Sequence, residues 1–197
     1  ARYLSLDEQR WLWASCQALI DGPVPAYVPV ARGGGGRMHV RMLCLGRHWN
    51  AVTYRYEASR SDHDNRPVPA LPEPLAALAA RVAQSAGMTL APDVCIVNFY
   101  DRDGRMGLHQ DKDESEPSLA AGLPVVSLSV GDTARFLFGG RRRRDEVVPV
   151  MLESGDAVVF GGPARLRYHG VSRILSGSAP RELGEVSGRF NLTFRQY

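Results

Sequence analysis

A chain of 197 residues with 44% apolar residues, 23% charged residues and a net charge of +3 has the size and balance of one globular domain with a core of its own. Three cysteines, Cys16, Cys44 and Cys95, without C-x-x-C spacing argue against a disulfide framework or a structural zinc site and suit a reducing compartment. No apolar run reaches the length of a membrane span and no signal-peptide pattern opens the sequence, which points to the cytoplasm and away from membranes.

In chain order, Ser5-Leu6-Asp7-Glu8 has capping-box spacing, and Trp11, Leu12, Cys16, Leu19 and Ile20 recur at helical intervals; a helix is predicted over 6–20, ended by Asp21-Gly22-Pro23. The stretch up to Gly36, with four consecutive glycines from Gly33, reads as a loop. From Met38 to Tyr56 the pattern turns strand-like, with Val40, Met42, Tyr54 and Tyr56 spaced for alternation and Trp49 between them. Two readings stand there: a buried core strand, or an aromatic platform over a pocket. Four prolines between Ser61 and Pro74 make that segment a loop, and Leu75 to Ala86, with Leu75, Leu78 and Val82 on one side and Gly87 behind, is a supporting helix. After Ala91 come short strands separated by turns: 94–100, 125–130, 134–138, 147–152, 157–160, 166–168 and 189–195. That rhythm indicates a sandwich or barrel, of which a jelly roll leaves an open mouth for ligands.

Leu108-His109-Gln110-Asp111 is the first segment with chemistry. On a strand, His109 and Asp111 share a face. They are either a hydrogen-bonded pair on a half-buried strand or two corners of a metal site, which one more histidine would complete as the 2-His-1-carboxylate set of non-haem iron. His169, at the end of the 166–168 strand, is the best candidate, whereas His39, His48 and His63 read as surface or loop residues. The last strand alternates Arg189, Asn191, Thr193 and Arg195 with Phe190, Leu192 and Phe194. Its apolar face belongs between the sheets. Its polar face is an ordinary outer face if solvated; lining a mouth, its arginines suit a small dicarboxylate held by bidentate contacts. Asn98 and Tyr100 share a face on the strand before the motif and add an amide and a phenol. The run Arg141-Arg142-Arg143-Arg144 is a solvated turn or a phosphate-facing patch.

Taken in order, Asn98 to Tyr100, Leu108 to Glu114, Pro124 to Ser129, Phe138-Gly139-Gly140, Gly155-Asp156, Tyr168-His169-Gly170 and Arg189 to Arg195 resemble the AlkB family of Fe(II)- and 2-oxoglutarate-dependent nucleic-acid dealkylases, most of all its bacterial repair enzymes. The match spans residues 94–197. It implies a mainly β protein with flanking helices: a double-stranded β-helix of jelly-roll type in one domain over 1–197. Residues 1–90 would be the N-terminal extension, nucleotide-recognition lid and supporting helices, and residues 91–197 the catalytic core.

The resemblance further implies that His109, Asp111 and His169 bind iron and that Asn98, Tyr100, Arg189, Asn191 and Arg195 hold 2-oxoglutarate, with Arg189 on the distal carboxylate and Arg195 near the metal-side one. Such enzymes use O2 and the 2-oxo acid to oxidise an N-methyl group, releasing succinate and formaldehyde. Substrate contacts carried over are Trp49, stacking on a flipped base opposite His109, with Met42 and Tyr54 beside it. Asp113 would read the exocyclic amino edge, as the next residue in strand phase with His109 and Asp111, and Arg143 a phosphate. The chain departs from the family in its longer glycine-rich stretch. The expected activity is oxidative demethylation of 1-methyladenine and 3-methylcytosine in single-stranded DNA by a monomer, with double-stranded DNA or RNA as further substrates. Alternatives are a related oxygenase acting on RNA or protein and, in a different class, a non-catalytic nucleic-acid-binding module using the arginine run.

Overall fold

The computed structural model describes residues 2–30 and 36–197; most of the glycine-rich stretch therefore lies outside the described residues. Helix α1 spans Leu6–Ile20. Its capping box closes as the spacing predicts: Glu8 N–H donates to Ser5 Oγ at 3.3 Å and Ser5 N–H donates to Glu8 Oε2 at 2.8 Å. Helix α2 spans Glu73–Ser85. It begins within the expected loop because Pro74 sits in its first turn, where the missing N–H costs nothing. A short helix α3, Glu116–Ala120, had no sequence expectation and is capped by the Ser115 side chain.

Among the described residues eleven strands follow an antiparallel plan. Strands β1 (Arg41–Leu45), β4 (Val94–Tyr100), β11 (Arg189–Arg195), β6 (Val125–Gly131) and β9 (Ala157–Phe160) form the larger sheet in the order β1-β4-β11-β6-β9. The smaller sheet is β5-β10-β7-β8, made of β5 (Met106–His109), β10 (His169–Leu175), β7 (Thr133–Phe138) and β8 (Val148–Leu152). A separate hairpin pairs β2 (His48–Asn50) with β3 (Arg55–Glu57). Two facing antiparallel sheets of this order are the expected jelly roll.

One face assignment is reversed. Phe190, Leu192 and Phe194 are fully buried, but under α1 and α2 on the outer side of the larger sheet, with Leu12, Trp13, Leu75, Ala79 and Val82. The Trp13 ring meets Phe190 edge-on with centroids 4.9 Å apart. Each such side chain contributes about 1.5–3 kcal/mol by leaving water. With the helices covering that face, the polar residues of β11 turn inward, between the sheets. There a second cluster of Tyr100, Phe136, Leu152, Val171 and Ile174 fills the space beside them.

Two further expectations change. Residues 166–168 are not a strand; they follow a 3-10 turn at Gly162–Ala164, and the strand begins at His169. A register break between Val171 and Arg173 spoils the period of β10, which is why alternation did not reveal it. In the 38–56 region, Gly46 (φ 80°) ends β1, and Tyr54 sits in the hairpin turn at φ 57°. Its side chain is therefore out of phase with Tyr56.

Candidate metal centre and its cradle

Strand pairing builds the centre. His109 ends β5 and lies directly opposite His169, the first residue of β10, so their rings are side by side with centroids 4.5 Å apart. Asp111 is not on a strand. The ladder stops at His109, and residues 110–114 continue as irregular chain, so strand phase explains neither Asp111 nor Asp113. Instead Gln110 Nε2 donates to Leu166 O at 2.6 Å, and Arg165 Nη1 donates to the Asp111 carbonyl. These two bonds turn Asp111 inward: its side chain is 5% exposed, and its carboxylate reaches within 3.8 Å of His109 Nε2 and 3.6 Å of His169 Nε2. One ligand atom from each of the three residues lies within 4.8 Å of the others.

The hydrogen bonds leave these ligand atoms available. His109 Nδ1 lies 2.9 Å from Gly107 O and His169 Nδ1 lies 3.0 Å from Arg167 O. Each Nδ1 carries the proton and donates it to a carbonyl, so each Nε2 lone pair points toward the centre. Asp111 Oδ2 is buried with no hydrogen-bond partner. Burial alone would raise the Asp111 carboxyl, but Arg195, then His169 and His109, hold it well below the usual range. Burial, reinforced by His169, lowers the His109 imidazole to about 4. The centre is thus a carboxylate beside an imidazole kept neutral, a donor set suited to a divalent iron with coordination positions left open.

The larger sheet supplies the wall opposite. In register, Arg189 faces Tyr100 and Asn191 faces Asn98 across β11 and β4. Gly188, at φ 88° immediately before β11, donates its N–H to Asp132 Oδ2 at 3.1 Å. This fixes the entry of Arg189, a side chain that is 1% exposed. Arg189 donates only to neutral groups: Asp132 O at 3.0 Å, Leu152 O at 2.9 Å and Ser129 Oγ at 2.5 Å. Burial lowers its guanidinium to about 10. Arg195 differs, since its Nη2 lies 2.6 Å from Asp111 Oδ1 and its Nε 3.1 Å from Glu114 Oε1. Asn191 Nδ2 donates to Ser127 Oγ at 2.7 Å. Asn98 Oδ1, Arg189 Nε, Arg195 Nη1 and, despite its ion-pair distance to Glu114, Arg195 Nε remain buried without hydrogen-bond partners. Orphaned polar atoms of this kind mark a place for a polar ligand, and two inward guanidiniums fit the two carboxylates of a 2-oxo diacid.

The hairpin covers this region. Trp49 Nε1 donates to Asp113 Oδ2 at 2.8 Å, and Tyr54, 46% exposed, meets Trp49 edge-on at 5.8 Å. Asp113 is half-buried, and burial raises its carboxyl. Met42 lies apart from the mouth, 2% exposed in a cluster with Tyr27, Cys44 and Ile96 that supports Trp49 from behind; any influence on a substrate passes through that ring. Arg143 is exposed on the β7–β8 loop with its three arginine neighbours.

Two buried polar residues, Glu114 and His48, are not legible in the sequence. Glu114, in a run of acids that reads as solvated, is 1% exposed and bonded to Arg165 Nη2 at 2.7 Å. Its partner lies 51 residues away, and nothing local signals the pairing. His48, expected at the surface, is fully buried with Nε2 2.6 Å from Asp62 Oδ1, anchoring the start of the hairpin.

The model of the 2OG-Fe(II) oxygenase superfamily matches residues 1–195. The AlkB dioxygenase of Salmonella typhimurium is 40% identical, over 95% of this chain and 88% of that protein. The chain belongs to the AlkB family. The solved structure of OsALKBH1 is 40% identical with a TM-score of 0.90, covering 100% of this chain and 94% of that one. An Arabidopsis thaliana relative named DNA N(6)-methyladenine demethylase ALKBH1C is 41% identical over 99% of this chain. The chain spans about half the length of such plant relatives, 47% in that case. Family membership brings Fe(II), 2-oxoglutarate and O2 as cofactor and co-substrates to the His109, Asp111 and His169 centre. No helix among the described residues is long and apolar enough to cross a membrane.

Proposed function

We propose that this chain is an Fe(II)- and 2-oxoglutarate-dependent oxidative demethylase of DNA bases, acting on 1-methyladenine and 3-methylcytosine in single strands. The observation that carries the reading is the junction of the two halves of the site. The Trp49 indole is hydrogen-bonded to Asp113, two residues beyond the ligand Asp111, so an aromatic platform is fixed to the segment that bears the metal centre.

In this reading His109, Asp111 and His169 hold the iron, which with O2 and the 2-oxo acid supplies the oxidising power. Arg189 binds the distal carboxylate of 2-oxoglutarate, and Arg195, Asn98, Tyr100 and Asn191 orient the remainder. A base removed from its stack lies between Trp49 and His109, with Tyr54 at its edge. Trp49 occupies one oxygen of Asp113, leaving the other to accept from an exocyclic amino group. Methylation at N1 of adenine or N3 of cytosine makes the base cationic, and the Asp113 carboxylate favours that charge electrostatically. Arg143 contacts a phosphate of the strand.

A second reading is N6-methyladenine in DNA, which the names of the plant relatives support. That base is neutral and gains nothing from the charge of Asp113. Mass spectrometry of oligonucleotides carrying 1-methyladenine, 3-methylcytosine or N6-methyladenine, incubated with Fe(II), 2-oxoglutarate and O2, separates the two. Faster loss of the methyl group from the cationic bases is expected. Turnover confined to N6-methyladenine overturns the first reading, and turnover of methylated RNA or peptide alone overturns both.

A further inference from the structure

The hairpin and the metal ligand are joined by a continuous buried network. Trp49 and Tyr56 are directly opposite each other across β2 and β3, and they engage consecutive acids. Trp49 bonds to Asp113, and the Tyr56 hydroxyl donates to Glu114 Oε1 at 3.1 Å. That oxygen also faces Arg195 Nε at 3.1 Å, while Arg195 Nη2 grips Asp111 Oδ1 at 2.6 Å. Arg165 closes the far side, with one nitrogen 2.7 Å from Glu114 Oε2 and the other on the Asp111 carbonyl. Glu114 therefore sits in dry surroundings with its two oxygens shared among two guanidiniums and a phenol. With its side chain 1% exposed, Glu114 is closed to substrate.

We infer that Glu114 is a positioning residue through which seating of the β2–β3 hairpin and the orientation of Asp111 favour one another. Arg195 is a rigid planar fork, so the angle at which it meets Glu114 sets the angle at which it meets Asp111. Tyr56 fixes the Glu114 oxygen that Arg195 faces. A seated hairpin thereby holds Asp111 Oδ1 on Arg195 and presents Oδ2 toward His169 Nε2, 3.6 Å away. Linkage then requires that metal binding tighten the hairpin by the same factor.

The inference rests on the iron site proposed above, and its test needs no methylated substrate. Fe(II) is titrated anaerobically into the protein with 2-oxoglutarate, followed by the visible charge-transfer absorption of the complex. Tyr56→Phe keeps the ring and removes only the hydroxyl; it is expected to weaken Fe(II) binding about tenfold, within the usual range of site-to-site coupling. Thr53→Ala, which removes the bond that the Thr53 hydroxyl donates to Glu57 Oε1 in the same hairpin, is expected to leave Fe(II) binding unchanged. In a Glu114→Gln background Tyr56→Phe adds no further loss; should that background not fold, the single variants decide. Hydrogen exchange of the amides in residues 48–57 should slow on loading with Fe(II) and 2-oxoglutarate, and by about tenfold less in Tyr56→Phe. Wild-type iron affinity in Tyr56→Phe, or an equal loss in Thr53→Ala, overturns the inference. A wild-type protein that gives no absorption at all overturns the iron site itself.

Discussion

Arg189→Met separates binding from stability more sharply than any other substitution in the cradle. The Arg189 guanidinium is buried and donates only to neutral acceptors. Burial lowers it to about 10, which corresponds to about 3 kcal/mol disfavouring the charged form. Three hydrogen bonds at about 1 kcal/mol each oppose that cost. Removing both, with the three acceptors left to relax, should cost the ligand-free protein about 1–3 kcal/mol, whereas breaking a paired buried charge typically costs about 3–5 kcal/mol. If Arg189 awaits the distal carboxylate of 2-oxoglutarate, the same change removes one partner of a desolvated ion pair. Affinity then falls by about 2–5 kcal/mol, or about 30-fold to several thousandfold. Urea melts with and without 2-oxoglutarate, using a redox-inert divalent metal, measure both effects. At about 100 times its Kd the co-substrate should stabilise wild type by about 2.7 kcal/mol and the variant hardly at all. A ligand-free variant destabilised by several kcal/mol that still binds 2-oxoglutarate within threefold of wild type refutes the reasoning.

Three other outcomes follow from the geometry. In metal-free protein the His109 ring should titrate near pH 4 by NMR; because its folded value lies below the ordinary 6.5, the neutral ring's contribution to stability is complete above about 6.5 and is lost as pH falls toward 4. A midpoint at 6.5 contradicts the burial argument. Trp49→Ala should raise KM for a methylated oligonucleotide by an amount worth about 1–3 kcal/mol, the usual worth of base stacking, while the Fe(II) and 2-oxoglutarate absorption still reaches its full amplitude at saturating metal. Arg143→Ala should lower the salt dependence of single-strand binding by about 0.7 in log–log slope if Arg143 contacts one phosphate; an unchanged slope places it in solvent.

The parts of the fold that were legible in the sequence were those whose signals are local. The capping box of α1 and the apolar run of β4 each sit within a few residues, and their boundaries match the structure. Strand β11 was legible as a strand, yet its faces were exchanged, because alternation shows that two faces differ and not which one a helix covers. Strand β10 was lost to a register break. The metal centre was legible as residue types at suggestive spacing, but its cause was misread: Asp111 turns inward through Gln110 and Arg165, not through strand phase. Glu114 and His48 were illegible for a related reason, since a buried polar residue is defined by partners distant in sequence and each looks like a surface residue alone.

In the proposed function His109, Asp111 and His169 form the centre that oxidises a methyl group on DNA. Its most direct test is the release of formaldehyde and succinate from a single-stranded oligonucleotide containing 1-methyladenine, by wild type and by Asp111→Ala. Equal amounts of the two products from wild type, dependent on Fe(II) and 2-oxoglutarate and absent from Asp111→Ala, are predicted. Turnover that survives in Asp111→Ala would contradict the account.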